Sequence, residues 1–150
     1  MLTFRQASIN DLEKILQFER ECFNQDDCFS KKNLQRMLLN PKKTIIVDLI
    51  LADNMVIGYA VYLTRKNSKK TRLYSICISP EYSGQGFAKK YLLSRLEQFT
   101  SNFIEISLEV RCSNIKAINL YKNIGFKVVS TLISYYPDGE DGYKLIRKLH

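Results

Sequence analysis

The feature that most constrains the fold of this chain is a glycine-rich turn between an apolar segment and a helical one. The turn spans residues 83–88, Ser-Gly-Gln-Gly-Phe-Ala, after an apolar run at 73–78 and before a run with helical character at 89–98. Such a turn directs backbone N–H groups at one point, where the positive end of the helix dipole also lies. It therefore predicts a binding site for a phosphate or pyrophosphate group.

The spacing of apolar residues predicts one mixed α/β domain over residues 1–150, with the order β-α-α-β-β-β-α-β-α-β-β and no repeats or linkers. The strand, helix and strand between residues 73 and 108 indicate a parallel pair with a right-handed crossover. The predicted strands are 2–6, 44–51, 55–64, 73–78, 104–110, 126–135 and 143–149.

Four helix starts follow from capping residues and from the glycine turn. Asn10, three residues before a glutamate, predicts the first start, and Ser30 predicts the second. The third helix follows the turn, and the fourth runs from Asn114 to a C-cap at Gly125. In the first helix Glu19 is the one polar residue that shares the spacing of the apolar residues.

The reactive residues of the chain exclude several kinds of site. The only histidine is His150, the last residue, so zinc sites with two histidines and Ser-His-Asp catalysis are excluded. We expect no metal site. No C-x-x-C pair occurs, and we expect the cysteines to be reduced thiols packed as small hydrophobic side chains. They are Cys22, Cys28, Cys77 and Cys112.

No segment predicts export or membrane insertion. The first seven residues lack the basic-then-apolar pattern of a signal peptide. No apolar run approaches the roughly 20 residues of a membrane-spanning helix. We therefore expect a cytoplasmic protein without a membrane partner.

The formal net charge of +8 has two interpretations. One is binding to nucleic acid. The other is a soluble surface that attracts a polyanionic cofactor. The basic residues are spread along the chain, with one cluster at 65–72 that lies between two predicted strands and is compatible with a solvated hairpin loop. We therefore do not expect a nucleic-acid partner.

Taken alone, the glycine turn does not identify a ligand. The dinucleotide motif G-x-G-x-x-G fails because Lys89 occupies its last position, and the P-loop motif G-x-x-x-x-G-K-[ST] is absent. A tight turn that needs glycine only for steric reasons remains an alternative.

A second motif, residues 114–126, adds the missing information. It reads Asn114-x-x-Ala-x-x-Leu-Tyr121-x-x-x-Gly125-Phe126. Together with the turn, it resembles the GNAT superfamily of acyl-CoA-dependent N-acetyltransferases, whose pyrophosphate motif [QR]-x-x-G-x-[GA] matches residues 83–88 except at Ser83. The resemblance covers essentially the whole chain. It implies the GNAT-type acyl-CoA N-acyltransferase fold, a mixed central sheet of about seven strands with about four helices, and acetyl-CoA as the cofactor.

A narrower resemblance concerns the acceptor. Residues 108–111, Leu-Glu-Val-Arg, and residues 135–141, Tyr-Tyr-Pro-Asp-Gly-Glu-Asp, look like the bacterial ribosomal-protein alanine N-acetyltransferase branch. That branch acetylates the α-amino group of a protein N-terminus. The loop 27–30, Asp-Cys-Phe-Ser, departs from the Pro-Trp-Ser often found there. Because this loop helps to form the peptide slot, the acceptor sequence is expected to differ.

The resemblance also implies roles for individual residues. Glu109 would act as the general base and Tyr121 as the general acid, with no covalent enzyme intermediate. Substrate-binding residues would be Phe29, Tyr135, Tyr136 and Asp138. Cofactor-binding residues would be Ile76, Cys77, Ile78, Ser83, Gly84, Gln85, Gly86, Phe87, Ala88, Asn114 and Tyr121.

Structural alternatives remain open for several of these residues. A cation such as Arg111 would pair with Glu109, and Tyr121 would be a core aromatic residue. Tyr135 and Tyr136 would alternate faces of a strand, so that at most one faces the substrate. The acidic residues from Asp138 onward would form only a turn.

The predicted activity is acetyl transfer to a primary amine, most specifically the α-amino group of a protein such as a ribosomal protein. The alternatives are an acetyltransferase for a small amine or polyamine, a non-catalytic acyl-CoA-binding module, and a nucleic-acid or ribosome-docking protein. We expect a monomer or weak dimer.

Overall fold

In a computed structural model that describes residues 1–150, seven strands form one mixed sheet. The strands are β1 (Leu2–Gln6), β2 (Ile45–Ala52), β3 (Met55–Thr64), β4 (Lys70–Ile78), β5 (Glu105–Arg111), β6 (Lys127–Leu132) and β7 (Gly142–Lys148). The helices are α1 (Leu12–Cys22), α2 (Lys31–Leu39), α3 (Phe87–Phe99) and α4 (Ile115–Asn123). The order across the sheet is β1-β2-β3-β4-β5-β7-β6. None of the four helices is long and apolar enough to cross a membrane.

The two faces of the sheet carry separate hydrophobic clusters. One cluster joins the sheet to α3 and α4, and the other joins it to α1 and α2. In β5 the alternation of side chains directs Ile106, Leu108 and Val110 into the first cluster. Glu109 and Arg111 therefore lie on the opposite face, the one that carries α1 and α2.

The centre of the sheet opens where β4 and β5 part. The two strands pair in parallel only from Lys70↔Glu105 to Leu73↔Leu108, although β4 continues to Ile78. At the same point β4 carries a bulge: the β3 partners pass from Leu73 to Ser75 and leave Tyr74 without a partner. Beyond this bulge the edge of β4 that faced β5 has no strand beside it.

A buried polar network attaches α3 to the sheet. The Tyr91 hydroxyl donates to Asp48 at 2.6 Å and lies 2.8 Å from the hydroxyl of Tyr62. The Nε atom of Arg95 lies 3.0 Å from the same carboxylate. Because Asp48 is only 2 % exposed, these partners offset the cost of burying its charge. The network fixes the helix whose N-terminus follows the glycine turn.

The predicted order of elements, the parallel pair and the helix caps at Ser30 and Asn114 are confirmed. The start at Asn10 is wrong. Ser8 accepts a hydrogen bond from the N–H of Asn10, and Asp11 accepts one from the N–H of Ser8, which forms a short 3₁₀ turn before α1.

Two further boundaries differ from the predictions. The basic cluster 65–72 is only partly a loop, because β4 begins at Lys70. Residues 70–72, the end of the cluster, pair with β5. The strand predicted at 126–135 ends at Leu132. Tyr135 and Tyr136 therefore lie in the β6–β7 loop and do not alternate across a strand. The loop turns at Ser134, which has φ 49° in the left-handed region.

Candidate active site

A cavity of about 360 Å³ lies between the end of β4 and the N-terminal ends of α3 and α4. Of the predicted cofactor residues, all except Gln85 line it. Two lysines, Lys89 and Lys116, add positive charge to its wall. The full lining is Ile76, Cys77, Ile78, Tyr82, Ser83, Gly84, Gly86, Phe87, Ala88, Lys89, Asn114, Lys116, Ala117, Leu120 and Tyr121.

The glycine turn has a backbone suited to an anion. Gly84 and Gly86 have φ 75° and 78°, which a residue with a Cβ adopts only with strain, and the space where each Cβ would lie is open. Gly86 is the N-cap of α3, and the first intrahelical bond runs from the N–H of Lys90. The preceding N–H groups of the helix are therefore free to bind phosphate oxygens. This arrangement fits a pyrophosphate group.

Ser83, which departs from the family motif, is engaged within the turn. Its hydroxyl donates to the carbonyl oxygen of Pro80 at 3.0 Å. The side chain thus fixes the entry to the turn and leaves anion binding to the backbone.

Tyr121 lies on α4 and lines the cavity. Its ring packs edge-on against Phe126, with ring centroids 5.7 Å apart. Burial raises the pKa of Tyr121 to about 12, so the hydroxyl keeps its proton at neutral pH. A protonated hydroxyl beside the cavity is chemically able to donate a proton to a leaving thiolate.

Glu109 lies one residue beyond the last β4–β5 pair, on the face opposite the cavity. The Nε atom of Arg72 donates to its Oε2 atom at 2.7 Å. The alternative that a cation pairs with Glu109 is therefore confirmed, but the cation is Arg72 and not Arg111. Sequence reasoning missed Arg72, because the predicted strand began at residue 73 and left Arg72 in the basic loop, whereas β4 begins at Lys70.

Arg111 instead connects two loops. Its guanidinium donates to Asp138 and Glu140 in the β6–β7 loop at 2.9 Å and to Asp27 in the α1–α2 loop at 3.1 Å. It also lies over the ring of Tyr136, 4.3 Å from its centroid. These hydrogen bonds raise the pKa of Arg111, and the bond to Glu140 contributes most. Asp138, predicted to contact the substrate, thus has its carboxylate engaged in holding the loops together.

Aromatic side chains surround the Arg72–Glu109 pair. Phe29 stacks on Tyr74 with centroids 5.4 Å apart, and the guanidinium of Arg72 lies 5.1 Å from the centroid of the Tyr74 ring. A terminal nitrogen of Arg72 lies 3.5 Å from the hydroxyl of Tyr135. The structure thus connects Phe29 and Tyr135 to Glu109 through Arg72. Tyr74 was also missed, because its exposure depends on the bulge in β4.

A buried carboxyl group lies under the α1–α2 loop. Glu19 is 1 % exposed, and its Oε2 atom accepts a hydrogen bond from the N–H of Phe29 at 3.0 Å. Its Oε1 atom is buried without a partner. Burial raises the pKa of Glu19 to about 7, although the hydrogen bond from Phe29 opposes the shift.

This carboxyl group predicts a pH dependence of stability. The pKa is about 7 in the folded state against 4.5 for a free glutamate, so the unfolded state ionises first as pH rises. Stability is fully retained below pH 4.5 and is lost between pH 4.5 and 7, by about 2 to 3 kcal/mol. Glu19→Gln keeps the acceptor for Phe29 and removes this loss. Urea unfolding of both chains at pH 5 and pH 8 measures this loss. From pH 5 to pH 8 the free energy of unfolding of the native chain should fall relative to that of the variant. The same change with pH in both chains would contradict the assignment.

Comparisons with known proteins agree with this geometry. Residues 9–126 match the model of the acetyltransferase (GNAT) family. The chain is 31 % identical to an N-alpha-acetyltransferase of Saccharolobus solfataricus, over 98 % of this chain and 93 % of that protein. It is 32 % identical to a [ribosomal protein bS18]-alanine N-acetyltransferase of Haemophilus ducreyi, over 63 % of this chain and 66 % of that protein.

The fold agrees with these sequence similarities. The crystal structure of the ribosomal-protein-S18-alanine N-acetyltransferase from Escherichia coli superimposes with a TM-score of 0.84, at 23 % identity, covering 99 % of this chain and 94 % of that one. The family match, the sheet that opens between β4 and β5 and the glycine turn lead to one conclusion: the chain belongs to the GNAT family of acetyltransferases and is an N-acetyltransferase.

Proposed function

We propose that this chain transfers the acetyl group of acetyl-CoA to the α-amino group of a polypeptide. The observation that carries the proposal is the gap between β4 and β5. The cavity with the glycine turn lies on one side of the gap, and Glu109 with its aromatic neighbours lies on the other. An acyl donor and an amine that enter from opposite faces would therefore meet in the plane of the sheet. The overall similarity to the Saccharolobus N-alpha-acetyltransferase supports a polypeptide acceptor.

The residues of the cavity account for cofactor binding. Acetyl-CoA supplies an activated acyl thioester. The N–H groups at the start of α3, with Lys89 and Lys116, would hold its pyrophosphate. The unpaired edge of β4 near Cys77 and Ile78 would offer N–H groups to the pantetheine arm and to the charge that develops on the thioester oxygen.

Proton transfer would use two side chains. Glu109 would accept the proton of the amine, while the hydrogen bond from Arg72 orients its carboxylate. Tyr121 would donate its proton to the departing thiolate, a role consistent with its pKa of about 12. An α-amino group has a pKa of about 8, against about 10.4 for lysine. It is therefore neutral more often near pH 7, which favours α-amines as acceptors.

A panel of peptides tests the proposal. Each peptide contains one internal lysine and has either a free or an acetyl-blocked N-terminus, and product masses and fragment spectra locate the new acetyl group. We expect acetylation of the free peptides at the α-amine alone. Equal turnover of the blocked peptides through lysine would contradict the proposal. Faster turnover of spermidine than of any peptide would favour the small-amine alternative. The N-terminal sequence of ribosomal protein bS18 belongs in the panel because the Haemophilus relative is named for it.

A further inference from the structure

A second cavity, of about 600 Å³, lies beside Glu109 on the face of the sheet that carries α1 and α2. We call it the basic groove and define it by its charged residues, Arg65, Lys70, Arg72, Lys144, Glu105 and Glu109. The basic cluster of the sequence thus contributes three of its basic residues to this groove, of which the proposed proton transfer uses only Arg72.

The groove has an excess of unpaired positive charge. Glu109 is paired with Arg72, and Glu105 is paired with Lys148 and with Lys70. Both carboxylates are therefore neutralised. Arg65 and Lys144 form no ion pair in the structure, so their charges remain available to an anionic ligand.

One end of the groove lies at Glu109, where the amine of the acceptor is proposed to bind. Lys144 faces Glu109 directly across the β5–β7 ladder. From Glu109 the groove follows β5 back to Glu105, a distance of about 13 Å for four residues of a strand. An extended peptide rises by a similar amount per residue. A peptide whose amine lies at Glu109 would therefore bring its third to fifth residues, roughly, to the far end of the groove beside Arg65.

We infer that the basic groove binds acidic side chains of the acceptor polypeptide, a few residues after its N-terminus, through Arg65 and Lys144. The inference rests on the proposed function and names its substrate class. A nucleic-acid backbone would use the same cations. The groove ends, however, at Glu109, a carboxylate that can accept hydrogen bonds from an amine and offers no donor to a phosphate. A peptide with a positive end followed by acidic residues matches both parts of the surface.

Paired peptides test the inference. They share a free N-terminus and differ at residues three to five, where one carries Asp and Glu and the other carries Asn and Gln. We expect kcat/KM for the acidic peptide to be about fivefold to tenfold higher at low salt, because exposed ion pairs each contribute modestly. The difference should lie in KM and should shrink in 0.5 M NaCl as the charges are screened.

Two double variants separate the groove from net charge. Arg65→Gln with Lys144→Gln should bring the ratio of the two kcat/KM values close to one. Lys14→Gln with Lys122→Gln removes the same charge from α1 and α4, outside the groove, and should preserve the ratio. An equal loss in both double variants would overturn the inference.

The outcomes also distinguish this inference from the proposed function. If both peptides are acetylated at the α-amine with equal kcat/KM, the proposed function stands and the inference fails. If neither is acetylated, both fail. Without a peptide preference, binding of a single-stranded RNA oligonucleotide that the Arg65 and Lys144 variant abolishes would assign the groove to nucleic acid instead.

Discussion

Glu109→Gln is expected to lower kcat for α-amine acetylation by about 100-fold or more, the usual contribution of a positioned general base. The amide has nearly the shape of the carboxylate and can still accept a hydrogen bond from Arg72, but it does not accept a proton from the amine. The dissociation constant for acetyl-CoA should change less than about twofold, because the cavity lies on the other face of the sheet. Steady-state kinetics and calorimetric titration measure the two quantities.

Glu105→Gln is the matched control. Glu105 lies on the same strand and the same face, four residues earlier, and is also paired with cations. Assayed with the uncharged peptide, this variant should keep a kcat close to that of the native chain. A similar fall in both variants would show that Glu109 acts only through the charge of the strand. An unchanged kcat in Glu109→Gln would remove the role of base.

Gly58→Ala is expected to cost about 3 kcal/mol of folding stability, at the upper end for an overpacked core. A Cβ at Gly58 would lie 2.1 Å from the backbone carbonyl oxygen of Cys77 and 3.0 Å from the Cα of Ile78. Backbone atoms cannot move aside as a side chain can, so β3 and β4 must separate. Since Cys77 and Ile78 line the cavity, affinity for acetyl-CoA should fall together with the midpoint of urea unfolding.

Gly139→Ala provides the comparison. Gly139 lies in the β6–β7 loop with φ 89°, and no atom lies near the position of its missing Cβ. This change costs only the strain of a left-handed backbone, about 1 kcal/mol. If the two variants lose the same stability, the close approach of β3 to β4 is not what requires glycine at position 58.

Local signals explain what the sequence could predict. The glycine turn, the caps at Ser30 and Asn114 and the order of elements depend on residues within one or two helical turns of each other. The motif 114–126, together with the glycine turn, indicated the GNAT family. The polar exception at Glu19 was visible in the helical pattern, although its role under the α1–α2 loop was not.

Long-range pairing explains what the sequence could not predict. Arg72 and Glu109 are 37 residues apart in sequence, and their contact requires the register of the parallel strands. Arg111 and Asp27 are 84 residues apart in sequence, and their contact depends on the position of the α1–α2 loop beside the end of β5. The misplacement of Tyr135 and Tyr136 had a local cause. The apolar and β-branched run of β6 predicted a strand that continued to residue 135, but the strand ends at Leu132 and the chain turns at Ser134.

The extra residue in β4 has a consequence for how this enzyme can diversify. Tyr74 is displaced toward the α1–α2 loop by the same bulge that leaves the following residues of β4 without a neighbour beside the cavity. One irregularity thus shapes both the cavity and the proposed acceptor side, and its removal would shift every later side chain of the strand to the other face. We therefore expect substitutions in the two loops joined by Arg111 to change acceptor choice, and substitutions in the middle of β4 to disturb both faces of the gap.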